Sequence, residues 1–125
     1  SMLATLEMKK LLDDETTSEV QKVYTSNLPK EEQENIDETI ILITDVNADL
    51  GLTGNNSFFS KTTQIEIQIF YKQDLDFDIE AFENRLLKML KQNHWSINDI
   101  RGHTTDPDTF QVTAVFYVSK ENLIN

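Results

Sequence analysis

Cysteine is absent from this chain, glycine occurs three times and proline twice, and no long apolar run exists. Without cysteine there are no disulfides, no thiolate metal sites and no cysteine nucleophile. So few glycines leave no loop able to cradle phosphate. With no run of about 18 apolar residues, no membrane-spanning helix is expected. The N-terminal stretch Met2 to Lys10 places its charges after its apolar residues, the reverse of a secretory signal. Positive charge is also scarce: 11 basic residues face 22 acidic ones, for a formal net charge of -11. Such a surface repels phosphate backbones and anionic lipid, which disfavours nucleic-acid and membrane binding. The acidity serves solubility, restrains self-association, or lines a passage that must not grip polyanions.

What is present is periodicity. A length of 125 residues suits one domain, here taken as residues 1–125. Residues 2–13 read as a helix, with Ala4, Met8, Leu11 and Leu12 on one face. Leu3 and Leu6 fall off that face, as frayed-end residues or as a contact for a partner. Glu19 to Ser26 reads as a short strand, and Pro29 opens one or two helical turns. Glu38 to Val46 is a strand whose Ile40, Ile41, Leu42 and Ile43 are apolar on both faces, as for a central strand. Residues 47–57 hold two glycines and read as a long loop.

Ser60 to Lys72 alternates cleanly. Ile65, Ile67 and Ile69 point one way; Gln64, Glu66, Gln68 and Phe70 point the other. Asp78 is placed as the N-cap of a helix running to about Gln92, with Phe77 and Phe82 spaced as a hydrophobic staple. Trp95 to Arg101 reads as a strand, Asp106-Pro-Asp108 as part of a turn, and Phe110 to Ser119 as another alternating strand. The tail, 120–125, is expected to be loose. The fold class is therefore α+β: a mixed or antiparallel sheet of about four to five strands against two helices, in the order α-β-β-β-α-β-β.

Chemistry is thin. Asp74, Asp76, Asp78 and Glu80 alternate like a calcium loop, but Ile79 stands where that loop needs glycine and Arg85 where it needs glutamate. His94 and His103, the two histidines, lie at element boundaries without metal spacing, so surface or capping roles are expected. No serine lies in an elbow motif. No catalytic residue, metal or cofactor is expected. Glu83 is the odd residue, because its helical angle drops it inside the apolar stripe. A lone buried carboxylate is costly, so it must reach the rim, find a partner, or meet another subunit. Phe58 and Phe59 are adjacent and would face opposite ways on a strand, so either one is core and the other an exposed interface anchor, or both close the loop against the sheet. Phe58, Phe59, Glu83, Leu3 and Leu6 are the candidate subunit or tail interface.

The segments Glu38 to Asp45, Phe58-Phe59, Ile65 to Tyr71, Asp78 to Glu83, and Thr105 to Asp108 with Phe116 to Val118 resemble a known family. With the element order, they make the chain similar to tail-terminator (tail-completion) proteins of long-tailed phages. More closely, the chain resembles an uncharacterised family of siphophage proteins from Gram-positive hosts, encoded among tail-assembly genes. The resemblance covers roughly residues 20–119 and carries no active-site motif. It implies a virion protein of the tail or neck, made in the host cytoplasm, forming a six-fold ring on the tail tube and meeting the head connector. The competing expectations are a cytosolic protein-binding adaptor, a small enzyme, and an RNA-binding ferredoxin-like domain. The last is disfavoured by the charge balance and by the lack of an aromatic-basic strand.

Overall fold

Alternation in the isoleucine-rich segments is what builds the sheet. The computed structural model describes residues 4–15, 19–52 and 59–124, with side chains over 4–15, 19–46 and 63–120. Its elements are α1 (Ala4–Glu15), β1 (Lys22–Thr25), a 3-10 turn at Lys30–Glu32, β2 (Ile40–Leu52), β3 (Phe59–Phe70), α2 (Ile79–Gln92), β4 (Ser96–Thr105) and β5 (Val112–Ile124). The five strands form one mixed sheet in the order β1-β2-β3-β5-β4. β1 runs parallel to β2, and every other pairing is antiparallel. The chain is thus a single α+β domain with a five-stranded mixed sheet and two helices.

Both helices bury their stripes on one face of the sheet. Ile43, Ile67, Phe116 and Ile100 pair in register across β2, β3, β5 and β4 and make one inward row. Ile41, Ile69 and Ala114 make the next. Met8 and Leu12 of α1 and Phe82, Leu86 and Leu90 of α2 close over these rows. Each fully buried side chain of this size contributes about 1.5–3 kcal/mol. On the other face no α-helix packs among the described residues, and Leu42, Gln68, Phe70 and Val115 there are half-buried. Ile40 is buried on that side, where Leu28 and Glu32 of the β1–β2 connection come close to it.

The start of α2 follows local chemistry. Asp78 accepts a hydrogen bond from the Glu80 backbone N–H at 3.1 Å, and the Phe77 and Phe82 rings lie 5.4 Å apart. The end of α2 is closed by His94. The backbone N–H of His94 donates to the Lys91 carbonyl, and that of Trp95 donates to the Leu90 carbonyl. His94 has φ 70°, so this is a Schellman ending with histidine where glycine is usual.

Three expectations change. Residues 47–52 are not loop: β2 continues to Leu52, paired opposite Phe59, past a bulge between Asp45 and Asn47. β5 continues to Ile124 where a loose tail from Lys120 is expected, because β3 supplies partners as far as Phe59. β4 runs on to Thr105 rather than stopping near Arg101. Polar composition misled all three readings, since ladder pairing is set by the neighbouring strand and not by the segment alone.

Candidate functional site

α2 does not reach far enough to cover the last strand. β4 is an edge, pairing with β5 alone among the described residues. Two bulges, between Ile97 and Asp99 and between Arg101 and Thr104, bend it. Such irregularity discourages another strand from adding to the edge. Between β4 and α2 lies an open groove of about 500 Å³. Its apolar walls are Ile79, Leu87, Ile100, Val112 and Phe116. Ile100 is 53% exposed because it ends an inward row that the helix leaves uncovered.

Glu83 lies in this groove and is 8% exposed. The Tyr71 hydroxyl donates to its Oε2 at 2.6 Å, and His103 Nε2 lies 2.7 Å from the same oxygen. In the Nε2–H tautomer His103 donates to this oxygen. Burial, then the bond to Glu83, raises the Tyr71 phenol well above its ordinary value and keeps it protonated. His103 remains about half exposed, at 48% of its side chain. The histidine that sequence places at an element boundary therefore reaches the buried Tyr71–Glu83 pair from the surface. Its approach comes from the bulge between Arg101 and Thr104, a feature set by pairing.

The arrangement holds a histidine oriented by its bond to Glu83. No Ser, Thr, Cys or Lys lines the groove among the described residues. No group of three His, Asp or Glu side chains that could hold a metal ion occurs among them either. What remains is an apolar slot with a carboxylate inside and Glu80 beside it, suited to bind a cation carried on an apolar stem.

A second polar cluster braces the opposite edge of the sheet. The buried Glu32 carboxylate takes the Lys22 ammonium at 2.7 Å, the Tyr24 hydroxyl at 2.5 Å and the Asn35 amide at 3.0 Å. The Lys22 bond, with those from Tyr24 and Asn35, holds the Glu32 pKa down at about 2. Asn35 and Lys22 likewise lower Glu38, while Glu32 raises both Lys22 and Tyr24. This cluster ties β1 to its crossover connection.

Of the predicted interface residues, the side chains of Glu83 and Leu6 are among those described. Glu83 is inside the groove. Leu6 is 45% exposed on α1. Phe59 opens β3, opposite Leu52 and Ile124, with its side chain outside the described set. Leu3 and Phe58 lie outside the described residues. Sequence reasoning missed Phe110, which is 71% exposed and has φ 61°. It closes the β4–β5 hairpin, where its N–H donates to the Asp106 carbonyl at 2.8 Å. Asp106 Oδ1 accepts from the backbone N–H groups of Asp108 and Thr109. Phenylalanine immediately after an Asp-Pro-Asp-Thr turn was the available signal.

The fold defines a small α+β domain with an open groove between α2 and β4. Residues 3–123 match the family described as "Protein of unknown function (DUF806)", and the chain belongs to that family. No curated protein matches it. No helix among the described residues is long and apolar enough to cross a membrane.

Proposed function

We propose that this protein is a structural subunit of a phage tail, acting at the head-proximal end of the tail tube as a ring-forming terminator. In this reading it caps tube growth, contacts sibling subunits and the tube protein, and presents a surface to the head connector. The observation that carries the docking role is Phe110. A bulky residue in left-handed backbone costs about 1–2 kcal/mol. Leaving its ring in water forgoes a further 1.5–3 kcal/mol or so of burial. With the ring 71% exposed in this backbone conformation, these costs support a contact for Phe110 outside the chain.

Two further features support the assembly role. A ring subunit touches several unlike neighbours, and this chain has a hairpin tip, an open groove and, among the described residues, a sheet face without an α-helix. The net charge of -11 suits a passage through which DNA slides without sticking. The phage assignment itself rests on the sequence resemblance to tail-completion proteins. Immunogold labelling of virions with antibody to the purified protein tests it. Label at the head-tail junction is expected; label absent from virions, with the protein found only in the soluble lysate, overturns the reading and leaves a cytosolic adaptor.

A further inference from the structure

We propose that the groove between α2 and β4 seats a lysine or arginine side chain from an apolar-flanked segment of a partner protein, with Glu83 as its acceptor. The proposal deepens the docking role and rests on it, but not on the partner being a tail protein.

The groove's size, about 500 Å³, falls within the roughly 300–1,000 Å³ of pockets that enclose ligands. Its walls, Leu87, Ile100 and Phe116, fit the methylene stem of a long basic side chain. Its polar end is acidic: Glu83 lies in the groove and Glu80 lines it, while no lysine or arginine does so. The two hydrogen bonds described for Glu83 both fall on Oε2, and a carboxylate offers about four lone-pair sites. A cationic head can therefore bind without displacing Tyr71 or His103. The neighbouring cation of α2, Arg85, is paired with Glu19 instead.

The alternatives fit less well. A strand added along β4 meets two bulges. The β4–β5 hairpin of a second copy would bring Asp106 and Asp108 against Glu80, like charge against like. A wholly apolar segment would fill the walls but leave the acidic end without a counter-charge.

The test is an amide NMR titration of the full chain with the capped peptide Ac-Leu-Arg-Leu-NH2. Its neutral isostere, with citrulline for arginine, is titrated in parallel. The arginine peptide is expected to shift the amides of Leu87, Ile100 and His103 at millimolar concentration, and the citrulline peptide to bind about tenfold more weakly. Glu83→Gln should reduce binding of the arginine peptide by a similar factor. Because that substitution also touches the buried cluster, Ile100→Lys at the exposed wall serves as a second variant and should abolish the shifts. Equal binding of the two peptides, shifts confined to another surface, or no shifts in the groove would each overturn the proposal. None of these outcomes bears on where the protein sits in a virion, which immunogold labelling reads separately.

Discussion

Replacing Phe110 by glycine should make the isolated protein more stable and its docking weaker. Phe110 holds φ 61° at the hairpin tip and is 71% exposed, so its ring contributes little to the core. Glycine removes a backbone strain of about 1–2 kcal/mol. It adds about 0.5–1 kcal/mol of unfolded-state entropy in return. The net gain is about 0.5–1 kcal/mol. At about 2.1 cal/mol/K per residue of unfolding entropy, a chain of 125 residues should melt about 2–4 °C higher. Urea unfolding followed by circular dichroism should show a raised midpoint with unchanged slope. In phage complementation the same variant should yield fewer intact virions. Lowered stability would mean that the ring makes internal contacts and that strain at Phe110 is not held for a partner.

His94→Gly acts on the same backbone conformation at the end of α2. It should stabilise by about 0.5–1 kcal/mol in urea, whereas His94→Val should destabilise. Tyr71→Phe deletes a donor to a buried carboxylate and should cost about 1.5–3 kcal/mol by the same assay. Glu32 titrates near 2 in the fold against an ordinary 4.5. Its stabilising effect is therefore complete above about pH 4.5 and is lost as pH falls through about 2. Lys22→Met removes the first cause of that shift, so urea midpoints measured across this window should fall less steeply with acid than in the wild type. Six copies at -11 each would bring -66 formal charges together. Light scattering should thus find a mostly monomeric protein at low ionic strength, with association rising as salt shortens the screening length to about 10 Å at 0.1 M. A ring stable at low salt and weakened by added salt would contradict this.

Alternation made β3 and β5 legible, and the aspartate cap with its staple made α2 legible. Their signals are local, with apolar residues at the period of the element and a capping side chain at its start. Glu83 was also visible as an acid inside an apolar stripe, with the requirement that it find a partner. Which partner was not visible, because Tyr71 lies just past the end of β3 and His103 reaches Glu83 through a bulge twenty positions away. The paired portion of β2 beyond Val46 was hidden by asparagine, aspartate and glycine, residues that locally favour turns. Phe110 continued the alternation of Val112 and Ala114 and so read as the first residue of a strand, although the Asp106 turn bonds hold it outside the ladder. Parallel pairing of β1 with β2 joins segments with no local mark of each other.

The central proposal is that this protein ends a phage tail at the head-proximal end of the tube. The most direct measurement is the tail-length distribution in electron micrographs of lysates from a phage deleted for the gene, with and without the wild-type protein supplied in trans. Abnormally long tails or tails unjoined to heads, restored by the supplied protein, are the predicted result. Normal-length tails on intact virions without it would contradict the account.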